Sequence, residues 1–324
     1  MTTSSFQPPP DEHGRVLFRS DGISVMDLQC RRRGTLESEV EPNPRHSIVF
    51  IRRGVFRRFY RDQAVVADSN HVLFFNAAEP YRYSHPVDGG DDCTILAVET
   101  GRALELVARH APRDAQRPET PFSQGHGLCS PRAARLQWEL MSLLGRRPVA
   151  SLVLEDLLND LADAAVGGVY GSPAVGIPRD SVSSGTRLRR RDLVEAAMVE
   201  VSACLDVPPS LTDLAGRLGC SPFHLSRTFH NIAGLSLRHY VKRLRARAAA
   251  ERLAAGADDL TGLALDLGYA DHSHFTNSFR QEWGLPPSRF RAGLLVTGMT
   301  GTTGIPGTPA GRATTCKPDA KTPK

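Results

Sequence analysis

Two short segments of the sequence carry hydrogen-bond donors and no acidic residue. They read PFHLSRTFHNI at residues 222–232 and HSHFTNSFR at residues 272–280. Arg, Ser, His and Asn side chains can donate to phosphate oxygens and to the acceptors on base edges, which would repel a carboxylate. A helix face that only meets water would mix acids with bases. The pattern therefore indicates an anionic partner, and DNA fits it best.

Apolar residues at helical spacing accompany these donors. Leu225 and Phe229 lie four residues apart, as do Phe275 and Phe279, so each segment predicts a helix with one face in a core. Among the outward positions, Arg227 suits guanine and Asn277 suits adenine, and Phe223 could touch a thymine methyl group. The candidate DNA contacts are Pro222, Phe223, Ser226, Arg227, His230, His272, Ser273, His274, Asn277 and Arg280.

Both segments belong to an internal duplication. LTDLAGRLGCSPFHLSRTFHNIAG at 211–234 aligns with LTGLALDLGYADHSHFTNSFRQEWG at 260–284, with one extra residue in the second turn. Each copy predicts a helix, a tight turn at Gly219 or Gly268, and a second helix. Ser221 is the expected N-cap of the first such helix, with Pro222 at its first position. This arrangement is typical of a helix-turn-helix, whose second helix enters the major groove.

A long basic helix is predicted between the two copies, over residues 236–256. A helix of roughly 20 residues spans roughly 30 Å, close to the ~34 Å of one DNA turn. One chain could therefore place two recognition helices in successive major grooves. Some of its cations are expected to reach phosphates, a solvated basic face being the alternative. These are Arg238, Lys242, Arg243, Arg245 and Arg247.

Composition and charge agree with a two-domain protein that has a polyanionic partner. The chain has 324 residues, 40% hydrophobic and 23% charged, with a net charge of +5. Residues 1–186 hold 21 Lys and Arg against 23 Asp and Glu, whereas residues 187–295 hold 15 against 11. Six scattered cysteines without a CxxC pair indicate neither a disulfide framework nor a zinc knuckle. With no secretion signal or membrane span in the sequence, we expect a cytoplasmic, nucleoid-associated protein.

The pattern along the chain predicts an α+β protein. We expect a disordered N-terminus at 1–14 and an antiparallel β-barrel domain at 15–166, closed by helices at 131–146 and 151–166. A flexible linker at 167–186, an all-α domain at 187–295 and a disordered tail at 296–324 should follow. The two helices of the first domain could also form a dimer seam.

The C-terminal residues resemble the DNA-binding domain of the AraC/XylS family of bacterial transcription regulators. The resemblance covers about residues 190–292 and rests on LAGRLGCSPFHLSRTFH, GLSLRHYVKRLRARAAAERL and LALDLGYADHSHFTNSFRQEWGLPPSRFR. It implies a seven-helix domain with two helix-turn-helix units that binds promoters. The family often has Arg where this chain has Asn277. A weaker resemblance to the family's cupin-like sensing domain rests on VVADSNHVLFFNAAEPYRYSHPV.

The N-terminal half has three candidate roles. A regulator of this architecture senses a small-molecule effector inside its barrel, and each barrel-facing candidate residue would also suit a core. The first alternative is a constitutive dimerisation domain. The second, less favoured, is a metal-dependent cupin enzyme. The candidate effector residues are His46, Phe50, Phe74, Tyr81, Tyr83 and His85.

Metal and enzyme chemistry find little support in the sequence. His46, His71 and His85 are widely spaced and lack the His-x-His pair of a metal-binding cupin. His272 and His274 fall on a predicted helix, where they point to different sides. We therefore expect no metal, no cofactor and no enzymatic activity. The expected partners are double-stranded DNA, a small-molecule effector, a second copy of the chain and, for an activator, RNA polymerase. We expect no binding to a membrane.

Overall fold

The structure is a computed structural model that describes residues 12–31, 36–61, 63–145, 149–171 and 184–296. Strands fill the first part of the chain and helices the second, which confirms the α+β prediction. The strands are β1 (Glu12–Arg19), β2 (Ile23–Cys30), β3 (Glu41–Pro42), β4 (His46–Arg53), β5 (Phe56–Tyr60), β6 (Gln63–Ala67), β7 (His71–Phe75), β8 (Pro80–Ser84), β9 (Asp91–Val98) and β10 (His126–Leu128). The helices are α1 (Thr100–Ala108), α2 (Pro131–Leu144), α3 (Ser151–Tyr170), α4 (Ser184–Ala203), α5 (Leu211–Arg217), α6 (Pro222–Ala233), α7 (Leu237–Ala254), α8 (Leu260–Asp266), α9 (His272–Trp283) and α10 (Pro287–Val296).

The N-terminal half consists of two antiparallel sheets and three helices. The larger sheet has the order β1-β2-β9-β4-β7-β10, and the smaller has the order β3-β8-β5-β6. Residues alternate between the two faces of a strand, and β4 shows this directly. Its Val49 and Ile51 pack with residues of the smaller sheet. Its Ile48 and Phe50 pack on the other face, in a core that includes α1, α2 and α3.

The boundaries of this half differ from the predicted domain boundaries at two places. The first strand starts at Glu12, inside the range 1–14 for which disorder is predicted. Helix α3 runs to Tyr170, inside the predicted linker, because its glycines allow close packing. A Cβ on Gly167 would lie 2.7 Å from a His110 ring carbon, and the Tyr170 hydroxyl accepts a hydrogen bond from Gln124 N at 3.2 Å. Residues 1–11, 172–183 and 297–324 of the predicted termini and linker lie outside the described residues.

The C-terminal half contains the two predicted helix-turn-helix units. The first pairs α5 with α6 across four connecting residues, and the second pairs α8 with α9 across five. Leu225 and Phe229 of α6 are fully buried, as are Phe275 and Phe279 of α9. In both turns the same backbone hydrogen bond forms, from Cys220 N to Ala215 O and from Tyr269 N to Ala264 O, each 2.9 Å. The duplication in sequence is therefore a duplication in structure.

Helix α7 joins the two units and also packs against the N-terminal half. Ala246, Ala249, Ala250 and Leu253 of α7 belong to the same buried cluster as Ile48 and the rest of the helix-facing side of the larger sheet. Among the described residues, no helix is long and apolar enough to cross a membrane.

The two turn glycines provide a matched test of these units. Gly219 and Gly268 have φ of +66° and +68°, a region that costs an L-residue about 1–2 kcal/mol. An added Cβ meets nothing within 4 Å at Gly219 but lies 2.0 Å from Asp206 O at Gly268. Gly219→Ala should therefore destabilise by about 1 kcal/mol, and Gly268→Ala by clearly more, in urea unfolding of the full chain. Equal losses for the two variants would show that the second turn is not packed as described.

Candidate nucleic-acid interface

Helix α6 begins at a side-chain cap that leaves its donors on the open face. The Ser221 hydroxyl accepts a hydrogen bond from His224 N at 3.2 Å, and Pro222 occupies the first helical position. This is a common start for a helix, since the cap satisfies one unpaired N–H and Pro needs none. Gly234, at φ +75°, ends the helix.

Helix α9 repeats this construction with a different cap. The Asp271 carboxylate accepts from His274 N at 2.7 Å, and Gly284, at φ +79°, ends the helix. Within α9, Arg280 Nη2 donates to Asn277 Oδ1 at 3.1 Å. The Asn277 amide is therefore oriented by its own helix before any partner is present.

Nearly all candidate DNA contacts are exposed on the two recognition helices. Phe223 is 74% exposed although it is a large apolar residue. Pro222 is half-buried at the start of α6, and the other outward positions are exposed. Those exposed positions are Phe223, Ser226, Arg227, His230, His272, Ser273, His274, Asn277 and Arg280. The structure thus supplies two similar surfaces whose outward helical positions hold donors and no acid, with the Asp271 cap beside the second, and their role in DNA binding stays a prediction.

The expectation for the basic residues of α7 is wrong for two of them. Arg243 and Arg247 are only 8% and 4% exposed, so they cannot reach phosphates in this conformation. Arg245 is also occupied, since its Nε donates to Leu205 O at 3.2 Å. Arg238 is exposed, and Lys242 donates to Gln281 Oε1. A basic sequence on a long helix could not reveal that part of it faces a second domain.

The buried arginines converge on Glu282 and on the N-terminal half. Arg247 Nη2 contacts Glu282 Oε1 at 2.7 Å, and Arg243 Nε lies 3.4 Å from Glu282 Oε2. Arg247 also donates to Ser69 O and, at 2.9 Å, to Cys129 O. Burial alone would lower the pKa of Arg247, but its contacts with Glu282 and Cys129 outweigh burial and raise that pKa. We call Arg243, Arg247 and Glu282 the interdomain ion cluster.

A second buried contact between the two halves centres on Asp68. Its carboxylate accepts from the Tyr240 hydroxyl and from Asn70 N, the latter at 2.9 Å. Asn70 Nδ2 donates to Tyr240 O at 3.1 Å. Burial would raise the pKa of Asp68, yet hydrogen bonds to His71, Tyr240 and Asn70 lower it below the ordinary value. The turn between β6 and β7 therefore holds the start of α7.

The candidate effector residues do not form one site. Phe50 and Phe74 lie on the sheet face that packs against helices, because each belongs to the core shared with α1–α3. The expectation that they face the barrel interior is therefore wrong. Tyr81 packs against the core between the sheets, and Tyr83 lies beside His85 with ring centroids 5.6 Å apart. His46 is separate from these and lines an open cavity at one end of the larger sheet.

That cavity has a volume of about 760 Å³ and lies between the β1–β2 turn, the start of β4 and the start of α1. Arg19 and Arg45 are exposed at this cavity, and Glu99 also lines it. His46 Nδ1 accepts a hydrogen bond from Ala77 N at 3.1 Å. Burial lowers the pKa of His46, so its imidazole is neutral at pH 7 and accepts this bond.

Comparison with known proteins finds similarity in the C-terminal half. Residues 214–293 match the family described as "Helix-turn-helix domain". The bifunctional transcriptional activator/DNA repair enzyme AdaA of Bacillus subtilis is 33% identical over 82 residues, which are 25% of this chain and 39% of AdaA. The regulatory protein SoxS of Salmonella typhimurium is 25% identical over 104 residues, which are 32% of this chain and 97% of SoxS. The chain is therefore similar, over a quarter to a third of its length, to these two regulatory proteins.

The match to the helix-turn-helix family covers none of the N-terminal half. The structure of ToxT from Vibrio cholerae aligns over 88% of this chain and 99% of its own, at 10% identity and a TM-score of 0.32. At this level of likeness no property of ToxT can be carried to the present chain. The chain spans about two fifths of AdaA, so what the whole protein does has to be argued from its own residues.

Removal of the Glu282 carboxylate tests the interdomain ion cluster. Glu282→Ala leaves two buried guanidinium groups without their counter-ion, and breaking a buried pair in this way costs about 3–5 kcal/mol. We expect a loss of this size in urea unfolding of the full chain. The matched control is Glu139→Ala on α2, where the side chain is exposed and the change should stay within about 0.5 kcal/mol. A small loss for both variants would contradict the cluster.

Proposed function

We propose that this chain is a sequence-specific transcription regulator that places α6 and α9 in two successive major grooves of DNA. The observation that carries the proposal is the pair of open, acid-free helix faces at equivalent positions of two helix-turn-helix units. A helix-turn-helix reads base edges with the N-terminal part of its second helix. In both units that part is exposed and rich in donors.

The separate groups on these faces suit different kinds of contact. Arg227 is exposed on α6, and a guanidinium can bond both acceptors of guanine at once. The Asn277 amide can pair with adenine, after Arg280 releases its oxygen. Because Arg243 and Arg247 are buried, phosphate contacts must come from other exposed donors, and the salt dependence of binding should be correspondingly moderate.

The N-terminal half is proposed to control this activity through a bound effector and a homodimer. The cavity beside His46, of about 760 Å³, falls within the ~300–1,000 Å³ of small-molecule sites. Leu152 and Val153 at the start of α3 are 67% and 50% exposed, which supports α3 as part of a dimer seam. Light scattering of the full chain should then give twice the mass of one chain, and the mass of one chain would contradict the dimer.

The cellular setting follows from this role. A regulator of this kind acts inside a bacterial cell at the nucleoid and, as an activator, contacts RNA polymerase. We propose no enzymatic activity for the chain.

The second candidate function is a constitutive regulator whose N-terminal half only dimerises. It is favoured because the proposed effector residues lie on different faces of the N-terminal half.

Arg227 provides the test of base recognition. Arg227→Ala should relax the preference at one base pair and weaken binding there by about 1–3 kcal/mol, measured by titrating full-length protein against operators changed at single positions. Arg113→Ala, at an exposed residue of the N-terminal half, is the control and should bind every operator as the parent does. Equal weakening on all sequences would instead mark Arg227 as a phosphate contact.

Filling the cavity tests effector control. Gly101 lines the cavity, and a Cβ there would meet nothing within 4 Å, so Gly101→Trp adds a bulky side chain at the cavity without a clash at its Cβ. A ligand that raises the melting temperature of the parent chain should then fail to do so for this variant, while Gly101→Ala should respond normally. Equal shifts in melting temperature for the two variants would show that the ligand binds outside this cavity.

A further inference from the structure

Four chemically reactive side chains meet at one end of the barrel, outside the surfaces described so far. Cys30 is the last residue of β2, and Asp91 is the first residue of β9. The two pair directly across the antiparallel ladder, which places their side chains on the same face. His85 comes directly after β8, the strand of the smaller sheet. Ligand atoms of Cys30, His85 and Asp91 all lie within 4.8 Å of one another.

The chain is shaped to bring these groups together and to shield them from water. Cys30, His85 and Asp91 are only 2–3% exposed. The loop from His85 to Asp91 closes through Gly90, where an added Cβ would lie 1.9 Å from Cys30 O. Gly90 also has a φ of +69°, so a side chain there would be strained as well as obstructed.

The types of ligand in this cluster select a class of metal ion. A thiolate and an imidazole are the preferred ligands of zinc and related transition metals, whereas magnesium and calcium prefer oxygen. A divalent ion would be balanced by the Cys30 thiolate and the Asp91 carboxylate, with a neutral His85, so the buried site carries no net charge. Charge balance of this kind is what burial requires.

The distances in the cluster are compatible with such an ion. Tetrahedral zinc with bonds of about 2.0–2.3 Å places its ligand atoms about 3.3–3.8 Å apart. His85 Nε2 and Asp91 Oδ1 are now 2.6 Å apart, the spacing of two atoms that share a proton. Replacing this proton with a metal ion requires the two atoms to move apart by about 0.7–1.2 Å.

A neighbouring side chain supports one of the proposed ligands. Cys93 Sγ donates to Asp91 Oδ2 at 2.6 Å, which holds the carboxylate in position. Ligating carboxylates commonly have such support from a neighbouring hydrogen bond.

We propose that Cys30, His85 and Asp91 bind one zinc-class divalent ion that fastens the smaller sheet to the larger one. The ion replaces the protons of the Cys30 thiol and the His85–Asp91 pair, and these protons go to solvent. Its role is structural, since the site is buried and joins β2 and β9 to the segment that follows β8. The N-terminal half has no His-x-His pair, but the pairing of β2 with β9 brings ligands from distant segments together.

Metal titration of the full-length chain tests the proposal. After removal of metal with a chelator, Zn²⁺ should bind at one ion per chain and raise the melting temperature. Co²⁺ should give the d–d absorption of a tetrahedral site and a sulfur-to-cobalt charge-transfer band. Failure of the parent chain to take up Zn²⁺, or a cobalt spectrum without the charge-transfer band, would overturn the proposal.

Substitutions then assign the ligands. Cys30→Ser and His85→Asn should lose more than 100-fold in Zn²⁺ affinity, and Cys93→Ser about 10–100-fold, because Cys93 supports a ligand without being one. The matched control is Cys220→Ser, at a half-buried thiol in the first helix-turn-helix turn, which should bind Zn²⁺ as the parent does. Unchanged affinity of Cys30→Ser, or loss of binding in Cys220→Ser, would overturn the assignment. If Cys30→Ser fails to fold, the cobalt spectrum of the parent chain and the smaller loss of Zn²⁺ affinity in Cys93→Ser still test the proposed site.

Discussion

The Glu282 carboxylate is the group on which the arrangement of both halves depends. It lies on α9, the second recognition helix, and it is the shared counter-ion of Arg243 and Arg247 of α7 inside the protein. The same two arginines donate to the backbone oxygen of Cys129 in the N-terminal half. Two buried cations would be very costly without this carboxylate. One acidic residue therefore fixes α9 against α7 and allows α7 to lie on the barrel domain.

This arrangement explains why α7 is basic although little of its charge is available to DNA. Arginine is long enough to cross from a helix to the carbonyl groups of a neighbouring domain, and its planar fork can serve several acceptors at once. Arg247 does so with Glu282, Cys129 and Ser69. Because α7 connects the two helix-turn-helix units and touches the barrel, a change in how the barrel holds α7 would reach both recognition helices. Effector control of DNA binding through α7 would require two such arrangements of this helix.

The sequence predicted the helical half well because its signals are local. Capping residues, turn glycines and apolar pairs act within a few residues, and α6 and α9 begin and end where Ser221, Gly234 and Gly284 indicate. The extra residue in the second turn was also visible as an offset between the two copies.

Features that depend on contacts between distant segments could not be predicted in this way. Alternation along β4 shows that successive residues face opposite sides, but it does not tell which side holds the helices, so Phe50 and Phe74 were assigned to the wrong face. Asp68, Ser69 and Asn70 look like an ordinary hairpin turn, yet all three accept or donate hydrogen bonds to α7. Cys30 and Asp91 are far apart in the chain and become neighbours only through the pairing of β2 with β9.

Binding of both helix-turn-helix units to the same DNA molecule can be measured by footprinting. The full-length chain would be titrated on DNA upstream of its own and neighbouring genes, over a series of salt concentrations. We expect protection of two major-groove segments about one helical turn apart, about 34 Å, with affinity that falls as salt rises. Protection of a single segment, or no binding at low salt, would contradict it.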